Sequence, residues 1–333
     1  MRAFSKPAID VPAQLELLKL RGLIIHNEAR AERFLQSVSF FRLSPYMRPF
    51  QRPEDSDHHF REGSQLGQLT RLYDFDRRLR LLTMDALERV EIASRSVISN
   101  HMGPTHGSHW YINPQIFHPA FDHQRLLTML SNKQTTAARD YQRECERIDR
   151  SHASNNRKDL LKRQRAKESY ARHYPVTYAH PSLMPGWAML EELTLGDLSH
   201  LYKGLAKDAD KKAIARRLML PAPLMQSWLH TLTTIRNICA HHSRMWNREL
   251  GIRPELPKKA NFLWPEHLFQ PGQHSRMFSV LCILNHLMRQ VSPHTRWGQH
   301  LYQLISEFPD VGLKAMGFPH DWHQDPFWHT PHV

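Results

Sequence analysis

The sequence predicts an all-α fold, and three observations carry that prediction. Apolar residues recur three or four apart through long stretches, the spacing of one helix face. Strand-like alternation is scarce across the 333 residues. Pro and Gly fall in clusters between the periodic stretches, where they punctuate helices. Helices linked in this way pack antiparallel around a shared core. Hydrophobic residues are 41% of the chain and mean hydropathy is −0.58, which suits a globular protein with a polar surface. The length is ample to bury a core. There is no run of about 18 apolar residues, the length that marks a membrane-spanning helix. The opening MRAFSKPAIDVPAQ lacks an apolar signal core. No membrane partner is therefore expected. Cys145, Cys239 and Cys282 are far apart and odd in number, which fits neither a disulfide framework nor a zinc spacing. A reducing cytoplasm is the simplest compartment, and no cofactor is expected.

Residues 1–62 read as an N-terminal helical region. Pro12 stands at a helix start, Gln14–Arg21 carries apolar positions at helical spacing, and Gly22 is the natural C-cap. Asn27 is the N-cap of a second helix. Phe40, Phe41, Tyr46 and Phe50 then cluster with Arg42 and Arg48. Such a set can stack and hold RNA bases. The plainer reading is that the rings dock the N-terminal helices on the core. Residues 51–63, with Pro53, Asp55, Asp57 and Gly63, read as a loop.

Residues 63–250 form the expected core. Leu69, Leu72, Phe75, Leu79, Leu82, Ala86, Val90 and Ala93 make 64–102 the longest helix region. Glu91 and Arg95 lie one turn apart and read as an ion pair. Arg95 is also a candidate RNA contact if this helix packs antiparallel to the central one, and Arg95-x5-His101 echoes the motif discussed below. Residues 103–125 carry Gly103, Pro104, Gly107, Pro114 and Pro119 and read as an irregular connection. From about 126 to 173 the chain is charged and apolar-poor; between Lys133 and Arg172 basic residues outnumber acidic ones about two to one. This reads as a helical hairpin inserted in the core, with its turn near Ser151–Asn156. Lys162 and Arg163 lie in it and are candidate contacts to an RNA backbone, although a solvated helical extension has the same composition. Trp187–Leu205 returns to helix, with a break and N-cap at Gly196-Asp197. Residues 208–220 form a basic helix, and Pro221 and Pro223 open the next one. Residues 251–333 hold a Pro-rich loop, one or two helices over 275–308 and a histidine-rich tail. In that tail His320 with His323 and His329 with His332 have a metal-like spacing without a fixed framework, so no metal site is expected.

The most informative stretch is Thr234–Leu250, TIRNICAHHSRMWNREL. Read as one continuous helix, it places Ile235, Cys239, His242 and Trp246 on an apolar seam that Leu224, Trp228 and Leu232 extend upstream. Asn237, His241, Arg244 and Arg248 fall on a second line roughly opposite, and Arg236 lies about 100° around the axis from it. On this reading His242 is packed, whereas His241 shares a face with Asn237 and two arginines. Guanidinium groups pair with phosphate oxygens, and an imidazole moves a proton near neutral pH. The polar line holds no acidic residue before Glu249, unlike an ordinary solvated face. The net charge of +13 points the same way, to a polyanion such as RNA.

Arg236-Asn237-x3-His241 resembles the R-x4-6-H motif of the HEPN superfamily of RNA-cleaving helical domains. The longer string RNICAHHSRMWNR resembles the signature of the Abi-like family of bacterial abortive-infection proteins. Four further blocks agree in order: LLKLRGLII, FLQSVSFFRLSPYMRPF, LYDFDRRLRLLTMDALERVEIASR and WAMLEELTLGDLSHLY. The resemblance spans roughly residues 6–250. It implies a HEPN-like bundle acting as a metal-independent endoribonuclease toxin, with a composite site at a dimer interface and products ending in a 2′,3′-cyclic phosphate.

RNA scission needs a group that takes the 2′-OH proton, one that protonates the leaving 5′ oxygen, and positive charge on the phosphorane. His241 suits proton transfer and Arg236 suits the phosphate. Asn237 is placed to orient the imidazole or to bond the scissile group. Arg244 and Arg248 are the adjoining candidate RNA contacts. One histidine cannot easily be acid and base at once, so a homodimer is expected. A toxin also needs restraint, by a bound RNA or an antitoxin partner. The competing reading is an RNA-binding module of a phage-defence or toxin–antitoxin system that binds without cutting.

Overall fold

A 41-residue helix, Leu66–His106, runs through the molecule, and most of the other layers rest on it. At 1.5 Å per residue it is about 60 Å long. The computed structural model describes residues 3, 7–258 and 263–329. Its order begins with α1 (Val11–Leu20), α2 (Glu28–Ser37) and α3 (Phe40–Met47), followed by the long helix, α4. Next come α5 (His123–Asp149), α6 (Asn155–Lys167), α7 (Tyr170–Thr177), α8 (Gly186–Glu191), α9 (Leu195–Gly204) and α10 (Asp208–Arg216). The series ends with α11 (Ala222–Ala240), α12 (Met277–Val291), α13 (Trp297–Glu307) and α14 (Pro326–His329). Among the described residues no strand forms; only isolated bridges such as Glu249 with Arg276 occur. The fold is all-α.

Local chemistry sets most boundaries. Asp10 caps α1 through the Ala13 amide at 2.9 Å, and Asn27 caps α2 through the Arg30 amide at 2.8 Å. Gly22, at φ 87, ends α1 as expected. α4 runs four residues past the predicted end, through Pro104 in its last turn, until Gly107 at φ 91 closes it. The cap of α9 is Thr194, not Gly196-Asp197. The Thr194 hydroxyl accepts the Asp197 amide at 3.2 Å and the Asp197 carboxylate accepts the Thr194 amide at 3.0 Å, a capping box.

The basic segment forms the expected hairpin, with α5 and α6 packed together and the chain turning between Asp149 and Asn155. Leu15, Leu18, Ala31, Leu35 and Leu43 build a small N-terminal core with Leu66 and Leu69 of α4. The larger core is continuous from α4 through α11 to α12 and α13, so apolar residues on both sides of position 250 share it. Tyr46 is buried, and Phe40 and Phe50 pack at the N-terminal core, which is the docking role for these rings; Phe41 is 88% exposed.

Candidate nucleic-acid interface

α11 forms because Pro221 and Pro223 suit a helix start and because Leu224, Trp228, Leu232, Ile235 and Cys239 bury one seam. Trp228 stacks on Trp264 with ring centroids 5.5 Å apart and donates its indole N–H to the Glu255 carbonyl at 2.9 Å. The helix antiparallels α4: the loop beyond its C-terminus is tied to Asp76 near the start of α4, while α10, which leads into α11, is bonded through Asp210 to His101 and His106 at the far end of α4.

The continuous helix expected through Leu250 does not form. α11 ends at Ala240, with His241 as C-cap. The Ser243 amide bonds the Ile238 carbonyl at 2.9 Å and the His242 amide bonds Cys239 at 3.0 Å, a Schellman closure. His242 takes the left-handed position at φ 54, usually a glycine's. It is exposed, which corrects its expected place on the packed seam. Trp246 is buried, but from the loop, where its indole donates to the Gly312 carbonyl at 3.2 Å. The face expected to carry Asn237, His241, Arg244 and Arg248 is thus divided, with Arg244 and Arg248 beyond the helix.

The loop stops being helix because α4 competes for its backbone. Asp76, 0% exposed, accepts the Met245 amide at 3.1 Å and the Trp246 amide at 2.6 Å. The same carboxylate is bonded by Arg80 and by the Tyr46 hydroxyl, and Arg80 also reaches the Ser243 carbonyl at 3.4 Å. Burial and then the Asp76 charge push the Tyr46 phenol well above its ordinary value, so it remains a donor. From α3, Arg42 donates to the His242 carbonyl at 2.6 Å. Asp76 was not among the sequence candidates, although its position four after Leu72 and three before Leu79 puts it on the buried stripe of α4.

Asn237 and His241 are exposed and one turn apart, and Arg236 is half-buried around the axis. Among the described residues none of these three side chains has an ion pair or a side-chain hydrogen bond. Arg95 is not free in this way. It pairs with Glu91 at 2.6 Å, the expected i,i+4 pair, and donates to the Leu193 carbonyl at 2.9 Å. His101 is engaged elsewhere, bonded to Asp210 at 2.8 Å, and His106 bonds the other carboxylate oxygen at 2.9 Å. On the hairpin, Lys162 pairs with Asp149 at 2.7 Å, whereas Arg163 is exposed.

Two grooves flank the helical layer. One of about 590 Å³ lies between α9 and α11, with His200, His230 and Lys203 but also Asp122, Asp197 and Glu255. The other, about 1100 Å³ along α5, has Asp122, Asp140, Glu168 and Glu192 against Arg125, Lys133 and Arg172. Neither presents a surplus of positive charge. Among the described residues the tail's His320, His323 and His329 join no three-donor group, and His332 lies outside the described residues. Among the described residues the one cluster of metal-donor type is Asp55, Asp57 and His59, where Asp55 accepts the Asp57 amide at 2.9 Å and the His59 amide at 3.2 Å. Those bonds explain the cluster as a loop cap.

A family model described as Abi-like protein matches residues 33–247. The match includes α2 from Arg33 onward, α3 through α11 and the Asp76-anchored loop, and leaves LLKLRGLII outside. No curated protein and no solved structure matches the chain.

Proposed function

Since the chain belongs to the Abi-like protein family, we propose that it serves abortive infection as a HEPN-type endoribonuclease toxin in which Arg236, Asn237 and His241 carry the chemistry. The observation behind this reading is the uncommitted state of those three side chains at one end of α11, beside a loop held in place from α4. Arg95 and His101, by contrast, are committed to partners within the fold.

The reaction follows from RNA's own nucleophile. The O2′ attacks the adjacent phosphorus, the P–O2′ bond forms and the P–O5′ bond breaks, leaving a 2′,3′-cyclic phosphate and a 5′-OH. His241 takes the O2′ proton or gives one to O5′. Arg236 binds the phosphate oxygens as negative charge grows on them. Asn237, one turn before His241, orients the imidazole or bonds the scissile group. The second proton transfer needs a second imidazole, supplied by the partner subunit's His241 in a two-fold dimer. Arg163 on the hairpin, exposed and without an ion pair among the described residues, suits an RNA backbone or a restraining RNA or antitoxin partner.

The test is cleavage of RNA by the purified protein beside His241→Ala and Arg236→Ala. Wild-type cleavage lost in both variants is the expected result. No cleavage by the wild type, or cleavage that survives both changes, overturns the enzyme. RNA bound but never cut is the outcome that fits a binding module.

A further inference from the structure

Beyond His241 the loop opens onto a cleft of about 550 Å³ that three distant parts of the chain build together. Pro45, Arg48 and Pro49 come from α3 and the turn after it, Arg244, Trp246 and Asn247 from the loop, and Gly312, Lys314 and Ala315 from beyond α13. Three cations line it and no carboxylate does. Arg248 adds a fourth charge close by, with its Nε donating to the Arg244 carbonyl at 3.0 Å. Among the described residues none of Arg48, Arg244, Arg248 or Lys314 has an acidic partner within ion-pair distance. Some arginines elsewhere do find one, as Arg71 does in Asp310 at 2.7 Å and the half-buried Arg78 in Glu307 at 2.6 Å.

Arg244 is the informative member. It is half-buried, and among the described residues its guanidinium reaches only the Asn247 carbonyl, at 3.4 Å. Burial, then Arg248, hold its pKa below the ordinary guanidinium value; Arg48 adds to this, and Asp76 and Tyr46 oppose it. Like charges gathered without a counter-charge repel one another, and an anion in the cleft relieves that repulsion. Guanidinium groups presented together match the planar oxygens of a phosphate.

We propose that the Arg48–Arg244–Lys314 cleft is a phosphate subsite for an RNA strand, next to the scissile position at His241. Arg244 is three residues from His241, so their Cα atoms are at most about 11 Å apart. At a rise of about 3.4 Å per nucleotide in a stacked strand, that limit allows at most about three nucleotide steps. The cleft therefore holds the backbone a few nucleotides from the bond that reacts and sets which bond faces the imidazole. The identity of the ligand rests on the RNA reading above; the binding itself does not depend on cleavage.

The experiment uses the full chain carrying His241→Ala, so that RNA stays intact. Binding of labelled single-stranded RNA is followed by fluorescence anisotropy across a salt series, with and without Arg48→Ala and Lys314→Ala. Both residues are exposed, so the substitutions spare the core, and circular dichroism verifies the fold. Each change is expected to weaken RNA binding several-fold and to reduce the slope of log K against log salt by about 0.7. Arg48→Lys is expected to retain the slope, because the charge remains. Unchanged slope and affinity in the folded alanine variants overturn the subsite, including the case where they abolish binding of ATP or inorganic phosphate and leave RNA untouched. A wild-type protein that fails to cut RNA sinks the nuclease and leaves this result standing.

Discussion

His241 and His242 are adjacent and do opposite things. His241 closes the last turn of α11 and keeps its ring in solvent, while His242 pays the backbone strain that lets the chain turn. A left-handed conformation costs an L-residue roughly 1–2 kcal/mol. His242→Gly is therefore expected to raise stability by about 0.5–1 kcal/mol in a denaturant titration, once the greater freedom of unfolded glycine is deducted. A drop in stability contradicts the strained assignment. His241→Ala and Arg236→Ala are expected to leave the melting temperature near the wild-type value and to lower the cleavage rate at least about 100-fold, the usual size of a lost proton-transfer group for His241 and of a lost transition-state charge contact for Arg236. A large fall in melting temperature with either change identifies a structural residue instead.

At the scale of elements, the junction of α4 with the loop after α11 decides how the site is held. Asp76 receives two loop amides and neutralises the buried Arg80. Asp76→Ala leaves Arg80 buried without its counter-charge, for which the expected loss is about 3–5 kcal/mol. Hydrogen exchange at Met245 and Trp246 is expected to accelerate more than at Ile235 on the α11 seam; equal acceleration contradicts a specific anchoring role. The same junction explains what was legible in the sequence. Local signals place helix starts and punctuation well, as at Pro12, Asn27 and Pro221. The apolar seam of α11 reads correctly as far as Cys239, because those side chains obey helical spacing. It fails beyond Ala240, where the polar line still looks periodic but a carboxylate 169 residues earlier takes the amides that helix would use. Spacing within one segment carries no sign of that competitor. Likewise Arg48 and Lys314 meet Arg244 only after three chain segments converge.

For the whole molecule, the continuous core makes acid sensitivity a shared property. His286 packs against Trp228 with ring centroids 5.6 Å apart, and burial, helped by Arg289, lowers its pKa to about 4. Its unfolded form takes a proton near pH 6.5. Between those values the unfolded chain binds more protons than the folded one, so stability rises with pH and is lost on acidification. The slope contributed by this one group approaches about 1.4 kcal/mol per pH unit. His286→Leu is expected to flatten stability measured between pH 6.5 and 4, and an unchanged slope removes His286 as the cause. On the proposed mechanism a second copy completes the site. Wild-type chains mixed and re-equilibrated with His241→Ala chains are expected to lose cleavage with the square of the wild-type fraction, as a site needing both imidazoles requires. Loss in simple proportion contradicts a shared site.

In the proposed reaction His241 moves a proton while an RNA phosphodiester closes on its own 2′-oxygen. The direct measurement is end-group analysis of RNA incubated with wild-type and His241→Ala protein. The expected result is 2′,3′-cyclic phosphate and 5′-OH ends from the wild type and intact RNA from the variant. Intact RNA with both proteins, or the same ends from both, contradicts it.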